Sequence, residues 1–329
     1  MIGGDIARLL AQLNTLGVTG ARSEEPLARH TTFGVGGPAA LMVEPADREE
    51  LINALSLLRE SGLPIMFLGL GSNLLVSDRG FEGVVVKALR ALRACRVEGD
   101  RMVVEAGVPL KKACSVAAQA ELAGLEFAIS IPGTVGGAVT MNAGAHGAET
   151  QAVVEAVTVW TGDRIVRLSA GDLAFRYRES RVQQEPWMVL DASLRLRRAP
   201  RGDVEARMRE YMQYRLRTQP VGERNAGSMF KNPDGAKAGA LIEGVGAKGW
   251  REGAAEISGL HANFIINRGG TAARDVVTLM RRVRRAVQEQ YGAVLRPEVR
   301  WVGPAEGEAG ATWDNLWWTA VDGWRAPSE

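Results

Sequence analysis

Apolar residues recur in DREELINALSLLRE (47–60) at Leu51, Ile52, Leu55 and Leu58, the spacing of one helix face. Asp47 stands where a cap belongs and Glu50 follows three residues later, so the pattern predicts a helix stopped by Ser61-Gly62. PIMFLG (64–69) reads as a buried strand, and FEGVVVKAL, after a glycine loop, as another. CRVEGDRMVVEAG predicts a hairpin turning at Glu98-Gly99-Asp100. VPLKKACSVAAQAELAG predicts a helix ended by Gly124. VVEAVTVWTGDRIVRLSA predicts a second hairpin, turning at Gly162-Asp163, and WMVLDASLRLRR a strand that closes the first half. Strands and helices mix with many antiparallel turns, which is an α+β pattern.

RAPRG (198–202) reads as a linker. A helix is expected over 203–218, then an irregular stretch from Pro220 to Gly235 and a strand in HANFIINRG (261–269). TAARDVVTLMRRVRRAVQEQYG carries Val276, Val277, Met280, Val283 and Val287 on one face and arginines opposite, a long amphipathic helix. LRPEVRWVG (295–303) reads as the final strand. From Pro304 the composition changes to PAEGEAGA and a tryptophan-rich tail, expected to be an appendage docked through its indoles or a poorly ordered end.

The length, 329 residues, exceeds one ordinary domain of about 100–200 residues. At 46% hydrophobic and 24% charged, with net charge +2, the chain has a globular profile and no basic stripe for nucleic acid. Neither a membrane span nor the order of a signal peptide is visible. The two cysteines, Cys95 and Cys114, lack CxxC spacing, which points to a reducing cytoplasm. His30, His146 and His261 stand far apart, so no metal site is expected.

Glycine is the departure: 39 residues, well above the ordinary ~7%. The one GxGxxG, Gly244 to Gly249, follows a helical segment and opens no helix, so it reads as a turn. Three other clusters, TTFGVGGPA (31–39), GLGSNLLVSDRGFEG (69–83) and IPGTVGGAVTMNAGAHG (131–147), combine glycine with Ser, Thr or Asn beside apolar stretches. Successive amides without a Cβ form concave anion nests that suit a diphosphate. From composition alone, tight loops in a small-residue core are the better explanation.

These loops resemble the flavin-binding half of the vanillyl-alcohol-oxidase (PCMH-type) FAD fold. With FRYRES (175–180), AGSMFKNP (226–233), GLHANFIIN (259–267) and LRPEVRWVG, they occur in the order of the UDP-N-acetylenolpyruvoylglucosamine reductase family and cover about His30 to Gly303. The resemblance implies an α+β chain with FAD in 1–200, as two lobes of about 20–85 and 86–200, and a substrate-binding unit over 203–303. It implies non-covalent FAD, NADPH as co-substrate, a nucleotide-sugar substrate and a cytoplasmic enzyme with no nucleic-acid, membrane or obligate protein partner.

By the same resemblance, FAD is expected at Gly69, Gly71, Ser72, Asn73 and Leu74 in one loop. Pro132, Gly133, Thr134, Gly136 and Gly137 serve it in the next, with Asn142 and Gly144 beyond. The family reaction reduces an enolpyruvyl group, which wants a cation or acid at the carboxylate and a proton donor over the neighbouring carbon. Arg178 matches the carboxylate-gripping arginine, Ser228 the proton donor and Glu298 the glutamate on the carboxylate side. Read alone, Ser228 is a loop-capping hydroxyl, and Glu298 forms a surface pair with Arg300 on one strand face. Tyr177, Arg178, Arg215, Gly227 and Asn232 are the expected substrate contacts, Asn232 near the phosphates. Thr218-Gln219-Pro220 replaces the family's Lys-Gln-Pro-like string, leaving Arg215 or Arg217 to supply that charge. The short stretch from Ser180 to Ser228 matches the form of the family that lacks a substrate-covering tyrosine loop. An alcohol or hydroxy-acid oxidase of the same cofactor fold, or a non-catalytic nucleotide-sugar binder, are the competing readings.

Overall fold

The computed structural model describes residues 2–185 and 187–304. The tryptophan-rich tail expected to dock or remain poorly ordered lies outside the described residues. Two sheets build the first part. One is four-stranded, in spatial order Ala21–Pro26, Pro38–Val43, Phe81–Val86 and Ile65–Phe67, antiparallel at its first pair and parallel after it. The other is five-stranded and antiparallel, with Met188–Arg195 between Val154–Trp160 and Arg101–Glu105. Both predicted hairpins are present, as Cys95–Glu98 with Arg101–Glu105 and Val154–Trp160 with Ile165–Ser169. One apolar core joins the sheets to the helices Arg48–Glu60 and Leu110–Gln119. Asp47 caps the former, its carboxylate accepting from the Glu50 N–H at 2.9 Å.

The helix expected to run to Gly124 stops at Gln119. Glu121 turns left-handed (φ 57), and Leu122–Ala123 leaves to pair with Arg197–Arg198. The helix expected to open the second unit spans Arg201–Thr218 and packs against the first part instead, where Met208, Tyr211 and Met212 lie on its core. The remainder is a three-stranded sheet, Arg251–Glu252, Ala255–Ile257 and Ile265–Asn267, covered by the long helix Ala273–Tyr291. HANFIINRG is therefore strand only over Ile265–Asn267. Val276, Val277, Met280, Val283 and Val287 are buried in this second core, and Phe33 and Val35 from the first glycine cluster are buried with them.

The two parts are stitched at several points. Arg300–Val302 runs parallel to Leu74–Val76. Asp78 accepts from the N–H groups of Ala273 and Arg274 at the start of the long helix (2.8 and 3.3 Å). The buried Asn267 amide donates to the carbonyls of Phe33 and Gly34.

Candidate active site

A cavity of about 290 Å³ opens between the parts. Its walls come from the loops 69–74 and 131–144, the strands behind them, and the segments that carry Ser228 and Glu298. Phe67, Val86, Leu89 and Leu110 make one side apolar. In the first loop Gly71 is left-handed (φ 62), and a Cβ there would lie 2.3 Å from the His30 carbonyl, so no other residue fits. The N–H groups of Gly71, Ser72 and Asn73 meet no acceptor among the described residues. Three successive open donors form a nest for an anion. Gly133 faces this loop, where an added Cβ would meet only Ser72 Oγ, at 3.5 Å. An apolar plate joined to a diphosphate is what such walls accommodate.

The cavity also has an ionic part, joined to the first loop where the Asn73 side-chain amide donates to the Glu298 carbonyl at 3.1 Å. Tyr177-Arg178 is the tip of a tight turn in which Arg176 and Glu179 exchange backbone hydrogen bonds of 3.0 and 3.1 Å. The turn puts Arg178 in the left-handed region (φ 58), a conformation that costs a non-glycine residue about 1–3 kcal/mol. Arg178 donates from Nε to Glu298 Oε1 (2.8 Å) and from Nη2 to the Gly144 carbonyl (3.0 Å). Glu298 therefore pairs with Arg178, not with Arg300 two residues on. Burial pushes the Glu298 carboxyl above the usual range, against the pull of Arg178 and Lys231. Lys231 itself is paired with Glu179 at 3.0 Å. Ser228 lines the same cavity, and its hydroxyl has no hydrogen-bond partner among the described residues.

Ser228 and Glu298 are held in register. The Glu298 N–H donates to the Met229 carbonyl at 2.8 Å, and the Lys231 N–H to the Arg296 carbonyl at 2.8 Å. Buried Asn263 clasps the same segment, accepting from the Phe230 N–H (3.0 Å) and donating to the Phe230 carbonyl (2.8 Å). Sequence reasoning missed this clamp, because a single asparagine in an apolar run carries no local signal of its partner.

The cavity collects Arg178, Ser228, Glu298 and Gly227, with every loop residue expected at the cofactor except Asn142. Asn142 is fully buried and its amide is consumed inside the protein: Nδ2 donates to Glu149 and the Arg176 carbonyl, and Oδ1 accepts from Gln151. It holds the Arg178 turn rather than facing the cavity. Tyr177, Arg215 and Asn232 also stand outside the lining. Tyr177 is exposed, with the Arg178 guanidinium 4.9 Å from its ring centroid. Asn232 is exposed and accepts from the Ala238 N–H at 3.0 Å. Of the two arginines near Thr218, Arg217 is exposed, whereas Arg215 is half-buried and pushed down by that burial. Arg215 belongs to the group around His146, whose ring stacks on Tyr211 at 4.0 Å. Arg300, on the cavity wall, was legible only as Glu298's companion.

Residues 39–169 match the model of an FAD binding domain, and residues 219–302 match that of the UDP-N-acetylenolpyruvoylglucosamine reductase C-terminal domain. UDP-N-acetylenolpyruvoylglucosamine reductase 2 of Symbiobacterium thermophilum is 46% identical over 280 residues, 85% of this chain and 91% of the relative. The chain belongs to the UDP-N-acetylenolpyruvoylglucosamine reductase family. The namesake reductase of Caldanaerobacter subterraneus is 45% identical, over 85% of this chain and 92% of its own. The crystal structure of the Thermus caldophilus reductase superposes with a TM-score of 0.73 at 37% identity, covering 85% of this chain and 97% of that one. The fold is thus the family's α+β arrangement, an FAD binding domain followed by the family's C-terminal domain.

Proposed function

We propose that this chain reduces the enolpyruvyl group of UDP-N-acetylglucosamine enolpyruvate to UDP-N-acetylmuramate, an oxidoreductase step in peptidoglycan precursor synthesis. The chemistry a bound FAD supplies is hydride relay, from NADPH and then to the enolpyruvyl double bond. The observation that carries the reading is the convergence of Arg178, Glu298 and Ser228 in one cavity with an anion nest and apolar side chains.

An enol ether accepts hydride poorly unless its carboxylate is polarised. Arg178 offers a planar fork of permanent charge for that carboxylate, already aimed by Glu298 and the Gly144 carbonyl. Glu298, buried and raised toward the protonated form, favours negative charge gathering beside it less than Arg178 does unless it holds its proton. As an acid it donates to the same carboxylate. Ser228 then delivers a proton to the carbon that has gained the electron pair. Its open hydroxyl supports that role, and Lys231, three residues on, is a cation near the same site. Beyond the reacting end, Asn232 has its Nδ2 hydrogens left for a phosphate oxygen, and Arg215 or Arg217 would supply the charge of the family lysine that Thr218 replaces.

An alcohol oxidase of the same cofactor fold gives no reason for these three side chains to meet. An anaerobic spectrum separates the readings. Flavin bleached by NADPH and re-oxidised by the enolpyruvyl nucleotide is the expected result; bleaching by an alcohol, with no response to the nucleotide, overturns it.

A further inference from the structure

Two residues beyond Glu298, Arg300 is a cation without a counter-charge. It lines the cavity, and its buried Nε has no hydrogen-bond partner. No carboxylate lies within ion-pair distance of it among the described residues. Its backbone is fixed, the N–H donating to the Asn73 carbonyl at 2.9 Å and the residue standing in register with Leu74. Burial pushes the guanidinium down to about 10, still charged at neutral pH. A buried cation is costly unless something pairs with it, so the missing partner is a ligand.

Which part of the ligand follows from position. Arg300 lines the same cavity as Glu298, two residues along the chain. The reactive end, where Arg178, Glu298 and Ser228 gather, must receive the flavin ring rather than its diphosphate tail. A guanidinium has only donors, and the ring's acceptors lie on its pyrimidine half; the dimethylbenzene edge has none. We propose that Arg300 is a cofactor-positioning residue that holds the pyrimidine edge of the flavin ring and favours its reduced state. A hydride leaving NADPH, which departs as NADP⁺, carries two electrons and one proton. The ring thus gains one negative charge, shared over that pyrimidine edge, and a fixed cation there stabilises it.

The inference rests on the flavoenzyme reading above, and its test is potentiometric. In the holoenzyme, Arg300→Met is expected to weaken the preference for reduced over oxidised FAD at least tenfold, a midpoint about 30 mV lower for a two-electron couple. The affinity of the flavin for sulfite, whose adduct places charge on the same edge, is expected to fall about as far. Arg300→Lys restores part of both. Should the Met variant not retain flavin, Arg300→Gln, which keeps donors without charge, reads out the same two quantities. Weaker binding of FAD with unchanged potential and sulfite affinity overturns the proposal and assigns Arg300 to the diphosphate. A wild-type protein that binds no flavin refutes the flavoenzyme reading itself; a wild type that binds it, with a Met variant of unaltered potential, refutes this inference alone.

Discussion

At the scale of single residues, the site divides its work between charge and proton. As the proposed proton donor, Ser228 would act only after hydride has reached the substrate, so Ser228→Ala is expected to leave NADPH-driven bleaching nearly unchanged. Re-oxidation by the enolpyruvyl nucleotide should slow by roughly 10²–10⁴, the worth of a positioned general acid. Rapid mixing of the two half-reactions checks this, and equal slowing of both would return Ser228 to a loop-capping role. Glu298 leaves a signature in stability. Its folded-state pKa is raised by burial, so between the unfolded value of about 4.3 and that raised value the native state holds the extra proton. Its contribution is complete below the unfolded value and is lost as pH rises through the folded one. Glu298→Gln cannot lose a proton, so the stability of the variant minus that of the wild type should climb with pH across that window and then level off. Melting curves of both proteins from acid to neutral pH measure the slope. The loss of the Arg178 ion pair is a separate offset that leaves the plateau shifted but the rise in place. A flat difference would mean that Arg178 has overcome burial.

Elements were legible where periodicity was strong and partners were local. The helices Arg48–Glu60 and Ala273–Tyr291 and both hairpins follow from spacing and turn residues alone. The helix Ile2–Thr15 was overlooked although buried Ile6, Leu9 and Leu13 mark its face. Ala21–Pro26, spelled ARSEEP, was not readable: it alternates poorly, and only its pairing to Pro38–Val43 makes it a strand. That Arg178, Ser228 and Glu298 share a cavity with the glycine loops was readable through the family motifs. The clamps that hold them were not, because Asn142 and Asn263 bond to segments 34 and 33 residues away. The Asn263 clamp is testable. Asn263→Ala leaves a buried N–H and a buried carbonyl of Phe230 without partners, at about 1–3 kcal/mol each. A loss of roughly 2–5 kcal/mol is expected in denaturant unfolding, with slowed re-oxidation because Ser228 lies two residues from Phe230. A change under about 0.5 kcal/mol would show that the loop holds its shape unaided.

At the scale of the molecule, the cavity is a joint. Its lining draws on the first part through the glycine loops and on the second through Ser228, Glu298 and Arg300. A ligand there binds only when both parts are folded and apposed, so it should stabilise the two together. No histidine or cysteine lines the cavity among the described residues, and His146 is turned to Ser130 (3.0 Å) and Tyr211 instead. Acid or heat should therefore release all the flavin, leaving a colourless polypeptide; yellow colour on denatured protein would contradict non-covalent binding. The stripped protein then permits the linkage measurement. A ligand at 100 times its dissociation constant adds about 2.7 kcal/mol to the folded state. For a chain of this size that raises the melting transition by roughly 4 °C, as one shift of one transition. The stitching by Asp78, Asn267 and the parallel Leu74–Val76 and Arg300–Val302 pair makes a single transition the expectation even without flavin. If the stripped protein melts in two steps and FAD moves only one of them, the cavity is lined from one side in solution. The convergence of Arg178 with Ser228 and Glu298 then requires substrate to assemble it.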